Sequence, residues 1–104
     1  MTKRQEKVRE LLRHLAAEFL AREANPSPLI TVTRVETPAD FRSATVFVTV
    51  YPERDEKAAL VFLKRKRGDL RNFAKGSIAM KELPRFDFAL DRGEKSRRRV
   101  EELI

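Results

Sequence analysis

The chain has 104 residues, one domain's worth, and its 41% hydrophobic content excludes a disordered polyelectrolyte. It contains no cysteine, which excludes disulfides and thiolate metal sites and fits a reducing cytoplasm. Lys and Arg number 23 against 16 acidic residues, a formal charge of +7 that predicts attraction to polyanions, chiefly nucleic acid or an anionic surface.

The first helix is expected over about Lys3–Ala24, where Val8, Leu11, Leu12, Leu15 and Phe19 recur at three- and four-residue steps and make one apolar stripe. Thr2 with Gln5 can form a capping box, and Asn25-Pro26-Ser27-Pro28 ends the helix because proline cannot continue it. Two strands follow. Leu29–Val35 is rich in β-branched residues, and Ala44–Val50 places Val46, Val48 and Val50 on one face. Thr37-Pro38-Ala39-Asp40 supplies the turn between them, so they pair as an antiparallel hairpin.

A second helical region runs from about Asp55 to Ile78, with Leu60, Leu63, Leu70, Phe73 and Ala74 on its core face. Gly68 lies in its middle, where glycine costs about 1 kcal/mol relative to alanine. The expectation is a helix, a kink at Gly68 and a second helix capped by Gly68 or Asp69. Pro84 then opens a third strand, Arg85–Leu90, with Phe86, Phe88 and Leu90 alternating, and Glu94–Ile104 forms a short terminal helix. The crossover through the helix pair makes the second and third strands parallel. The expected fold is α+β: one domain over 1–104, with a mixed three-stranded sheet covered by helices on one face.

This order resembles the KH-like, type II-like fold of the ribosome-binding factor A family over nearly the whole chain. The resemblance is carried by Phe19-Leu20-Ala21-Arg22-Glu23, by the strand Ile30–Glu36, by Asp40-Phe41, by Ala44–Val50, and by Leu83-Pro84-Arg85-Phe86-Asp87-Phe88 with Asp91. The family's Ala-x-Gly kink falls on Lys66-Arg67-Gly68, with lysine in place of alanine. Ala74-Lys75-Gly76 matches the letters but lies too near the third strand to divide two helices. Asn25-Pro26-Ser27-Pro28 also departs from the family's Asp-Pro-Arg. The resemblance implies a non-catalytic cytoplasmic factor without a cofactor. It would bind the immature 30S subunit and its 16S rRNA during late maturation.

The sharpest local signal is Lys64-Arg65-Lys66-Arg67 with Gly68, Arg71 and Lys75. On a helix Lys64, Arg67, Arg71 and Lys75 form a basic ridge, offset locally only by Asp69, and such a ridge suits phosphate contacts. Arg97-Arg98-Arg99, with Arg92 and Lys95, is a second candidate RNA-binding cluster. The N-terminal Lys3, Arg4, Lys7 and Arg9 are interleaved with Glu6 and Glu10, so intrahelical pairing is expected there.

His14, the sole histidine, flanks the apolar stripe and has neither a nucleophile nor an orienting acid beside it in sequence. Glu53, Asp55 and Glu56 suit a helix N-terminus better than a metal. Phe47, opposite the valine face, is the aromatic best placed to stack a base. Together these readings describe an RNA-binding monomer with no catalytic, metal or membrane site. The longest uncharged stretch, Ser43–Pro52, is too short to span a bilayer, and charges interrupt every apolar run near the N-terminus. The rivals are a stand-alone KH-like RNA-binding protein, which a Gly-x-x-Gly loop would favour and this chain lacks, and a protein adaptor for an acidic partner.

Overall fold

Helix α1 (Lys3–Glu23) turns a narrow stripe inward: Leu12, Leu15, Ala16, Phe19 and Leu20 are buried and Val8 packs at the stripe's edge. Leu11, expected on this stripe, is instead 43% exposed, because Leu12 and Leu15 already define the inward direction. The structure, a computed structural model, describes residues 3–23, 27–78, 80 and 82–93. The terminal helix expected over Glu94–Ile104, with Arg97, Arg98 and Arg99, lies outside those residues, as does Thr2 of the capping box.

Strands β1 (Leu29–Glu36) and β2 (Ser43–Tyr51) pair antiparallel from Leu29↔Tyr51 to Glu36↔Thr45. The register slips between Val32 and Arg34, so that Val32 faces Val48 while Arg34 faces Phe47. This bulge at Thr33 has a packing consequence. Strict alternation from Val32 would turn Val35 outward. The extra residue lets both valines reach the core. At the hairpin's far end the Phe41 N–H donates to the Pro38 carbonyl at 3.1 Å, and Phe41 adopts a φ of 55°.

Strand β3 (Arg85–Leu90) pairs parallel to β2, from Ser43↔Arg85 to Val48↔Leu90, giving the sheet order β1-β2-β3. Before it, a 3-10 turn (Glu53–Asp55) leads into α2 (Glu56–Arg65), followed by α3 (Arg67–Ser77). Helix α1 packs on β1 and both α2 and α3 pack on β3. The core lies between: Val46, Val48, Phe86 and Phe88 from the sheet meet Leu12, Phe19, Leu63 and Leu70 from the helices. The Phe19 and Phe73 rings tie α1 to α3 with centroids 5.7 Å apart.

The break between α2 and α3 is at Lys66, not Gly68. Lys66 has φ −92° and ψ 2°, and its N–H donates to the Leu63 carbonyl at 2.9 Å, so α2 tightens before the chain restarts as α3. These angles need no glycine. Gly68 is an ordinary residue of the first turn of α3 with negative φ, and open space surrounds the position its Cβ would occupy. The cap expected from Gly68 or Asp69 is also corrected. Lys66 occupies the N-cap position and makes no side-chain capping bond.

Candidate nucleic-acid interface

The basic run divides at the break. On the α2 side, Lys64 Nζ lies 3.0 Å from Asp87 Oδ1, an acid that β3 presents from the sheet edge. Arg67 donates to the Lys64 carbonyl at 2.9 Å and lies 3.5 Å from the same Asp87 oxygen. Lys66 reaches Glu23 at the end of α1 (3.5 Å) and Asp69 (3.7 Å), and lies 5.6 Å from the centre of the Phe62 ring. The expectation that only Asp69 offsets the ridge is therefore corrected. Two further carboxylates, distant in sequence, come from α1 and β3. Partial burial pushes the Asp87 carboxyl up. The Lys64 ammonium, the Phe88 N–H and Arg67 outweigh it, and the group is held below the usual carboxylate range.

On the α3 side the arrangement is different. Arg67, Arg71 and Lys75 stand four residues apart, one turn each, as expected. Arg71 and Lys75 have no ion pair among the described residues, and neither does the exposed Arg65. Between α3 and the adjoining starts of β2 and β3 lies a cleft of about 520 Å³. Arg67, Gly68 and Arg71 form one wall; Ser43, Thr45 and Arg85 form the other. Arg71 also lines a second cleft of about 410 Å³ with Lys75, Met80 and Glu82. Three arginines from two elements thus line one hollow wide enough for a phosphate, with Ser43 and Thr45 beside them. Asp87 forms part of the same lining and sets a negative limit to it.

Arg85 was not among the site residues expected from sequence. It reads there as the opening residue of a strand. Only the Ser43↔Arg85 register of the parallel pair brings it opposite Arg67 and Arg71. The absence of a Cβ at Gly68 keeps the wall low at that point, which is its contribution to the site.

Elsewhere the structure reassigns two sequence candidates. Arg9 reaches beyond its own helix. It donates to the Thr37 carbonyl at 2.9 Å and to Thr37 Oγ1 at 3.1 Å, and lies 3.7 Å from Glu36. Its role is to fasten α1 to the end of β1. Phe47 lies on the open face of the sheet, but the Arg34 guanidinium covers its ring at 4.0 Å from the centroid. Arg34 is held in turn by Glu36 (2.8 Å) and Asp91 (3.5 Å). A base would have to displace Arg34 to stack there. His14 is exposed on α1. Among the described residues no group of three or more His, Asp or Glu converges as a metal site would require. Among them, too, no helix is long and apolar enough to cross a membrane.

An α+β sheet with parallel β2 and β3, a broken helix pair laid over that half, and basic residues gathered at the break define a KH-like protein. The model of the family described as ribosome-binding factor A matches residues 4–104, and the chain belongs to that family. The ribosome-binding factor A of Thermomicrobium roseum is 34% identical over 104 residues, covering 97% of this chain and 81% of that protein. The crystal structure of ribosome-binding factor A from Thermus thermophilus superposes with a TM-score of 0.76 at 27% identity, over 85% of this chain and 96% of that one. A homology model of the Thermus thermophilus factor, fitted into the cryo-EM map of its complex with the 30S subunit, superposes with a TM-score of 0.69. It is 28% identical over 80% of this chain and 90% of that one.

Proposed function

We propose that this chain is a non-catalytic assembly factor that binds the immature 30S subunit and holds 16S rRNA through its backbone phosphates. The observation that carries this reading is the cleft at the start of α3, which Arg67, Arg71 and Arg85 line together. A guanidinium fork matches phosphate oxygens in pairs, and neutralising each phosphate releases a counterion. Family membership and the related factor seen with a 30S subunit support the choice of RNA over other polyanions. Lys75 and Arg65 extend the surface along the helices. Lys64 and Lys66 contribute mainly to holding the two helices in place. Arg97, Arg98 and Arg99 belong to the same proposal as a second contact. The whole chain acts as one domain and needs no cofactor.

Sedimentation of tagged chain with separated ribosomal subunits tests the reading. Retention by free small subunits, and not by large subunits or polysomes, is the expected result. If about four phosphates are neutralised, affinity falls by about two decades between 50 and 200 mM salt. Equal retention by both subunits, or a flat salt response, would overturn it.

A further inference from the structure

The open face of the sheet holds a planar cation that the arginine cleft does not use. The bulge at Thr33 puts it there. Val32 and Val35 both turn into the core, Thr33 and Arg34 between them are both exposed, and the register sets Arg34 opposite Phe47. The guanidinium carbon of Arg34 lies 4.0 Å from the Phe47 ring centre. An edge-on group at that distance would press a nitrogen into the ring, so the guanidinium lies face-on, as arginine does on aromatic rings.

The edges of the group are held as well. Its Nη1 donates to Glu36 Oε1 at 2.8 Å, and its Nε lies 3.5 Å from Asp91 Oδ2. Both carboxylates are themselves anchored. Glu36 lies 3.7 Å from Arg9 of α1, and Asp91 accepts from the Thr33 hydroxyl and, at 3.1 Å, from the Gly93 N–H. With one face on Phe47 and two nitrogens directed at acids, Arg34 offers chiefly its outer face, and its side chain is still 47% exposed.

These surroundings select the ligand. One cation between two carboxylates gives a local excess of negative charge, which repels a phosphate. In the cleft the balance is reversed, because Arg67, Arg71 and Arg85 outnumber Asp87. An aromatic ring, by contrast, meets a fixed platform of guanidinium on phenyl and gains cation–π attraction at little cost in side-chain entropy. Unpaired bases supply such rings to an RNA-binding surface. The platform also adjoins the cleft. Thr45 of the cleft wall precedes Phe47 by two residues on the same strand face, about 7 Å away.

We infer that Arg34, stacked on Phe47, seats an unpaired RNA base while neighbouring phosphates of the same strand occupy the arginine cleft. The inference rests on the RNA reading of that cleft. It adds a contact that selects single strands over duplex, because a paired base keeps its faces inside its own stack. The Thr33 bulge then serves binding as well as packing.

NMR of the full chain with two probes tests this. Inorganic polyphosphate offers phosphates without bases, and a short single-stranded oligoadenylate offers both. Each should shift the amides of Gly68 and Arg71 at the cleft. Only oligoadenylate should move the Arg34 Nε–H and the Phe47 ring signals upfield, through the ring current of the stacked base. Shifts at the cleft with Arg34 unmoved would overturn the inference and leave the cleft reading standing. Arg34 signals moved equally by polyphosphate would make it a phosphate contact and overturn the inference too. No shift at either place with either probe would remove both readings.

Two variants of Arg34 add a readout that a purely structural role would not produce. Arg34→Lys keeps the charge without the planar face, and oligoadenylate affinity should fall about tenfold with an unchanged salt slope. Arg34→Tyr is planar without the charge and should keep most of the affinity, although it gives up the pairs with Glu36 and Asp91. Backbone amide spectra that match the wild type away from position 34 show that each variant is folded. Wild-type affinity in Arg34→Lys, or tighter binding by Arg34→Lys than by Arg34→Tyr, would overturn the inference.

Discussion

Lys64, Lys66 and Arg67 and, a turn or two later, Arg71 and Lys75 look alike in sequence, yet they face different surroundings. The first group answers to carboxylates brought from α1 and β3; Arg71 and Lys75 face open clefts without an ion pair among the described residues. A cation already held by an acid must exchange one partner for another when a phosphate arrives. A cation in an open cleft gains its partner outright, so its contribution to binding is larger. The number of basic residues in a run is therefore a poor measure of its phosphate-binding capacity. The acids that other elements bring to it decide which of them remain available.

The strongest break of this contrast is Arg67→Glu with Arg71→Glu, which replaces attraction by repulsion across the cleft from Arg85. Subunit pelleting should fall by on the order of a hundredfold or more at low salt. Arg67 gives up its bond to the Lys64 carbonyl and its pair with Asp87, so thermal melting should fall by the equivalent of about 1–2 kcal/mol, which leaves the domain folded. Normal pelleting by a well-folded double variant would remove the cleft from the binding surface.

Asp87→Asn sharpens the same contrast from the other side. It releases Lys64 and Arg67 and keeps an oxygen able to accept the Phe88 N–H, which Asp87 accepts at 2.8 Å. Binding to small subunits should tighten, and the log–log salt dependence should steepen by about one unit for each cation freed. An unchanged slope would mean that the paired cations never meet phosphate.

Gly68→Ala separates the fold of this wall from its charge. Gly68 is helical and nothing lies near its missing Cβ, so alanine should stabilise the domain by about 0.5–1 kcal/mol without altering the salt slope. A loss of stability would contradict the placement of the break at Lys66.

The smallest effect concerns pH. The Asp87 carboxyl titrates below its ordinary value in the folded state. Its pairing therefore contributes stability above the unfolded-state value, and that contribution disappears as pH falls through the lower folded value. Melting curves of the wild type and Asp87→Asn should converge on acidification from about pH 7 to about pH 3. A gap that stays constant would show that the Lys64 and Arg67 pairs add nothing to the fold.

Much of the architecture was legible residue by residue. Val46, Val48 and Val50 announce a one-sided strand, Phe86 and Phe88 a second, and Pro26 and Pro28 the end of α1. Each signal is local, because side-chain direction follows backbone periodicity. The break was misplaced for the same reason. Glycine is the natural suspect for a kink, yet an unstrained one with φ near −90° is open to lysine, and the letters do not mark it. Leu11 reads as part of the apolar stripe because its spacing is right, but which side of a stripe meets the sheet depends on the packing angle. The candidate site was half legible. Arg67, Arg71 and Lys75 follow from helical spacing, whereas Arg85 and the acids Asp87 and Glu23 come from other elements.

By itself, then, the sequence determined the order of helices and strands, the parallel crossover, the mostly buried faces and the basic character of the second helix pair. These rest on periodicity, turn chemistry and net charge, all properties of neighbours in the chain. Only the tertiary structure decided that Val32 and Val35 share a face through the Thr33 bulge, that Arg9 fastens α1 to Thr37, and that Arg85 joins Arg67 and Arg71 while Asp87 claims Lys64. Those outcomes depend on strand register and on which side chains distant elements bring within a few ångströms. Coulombic and hydrogen-bond energies act at that distance and carry no record of separation along the chain.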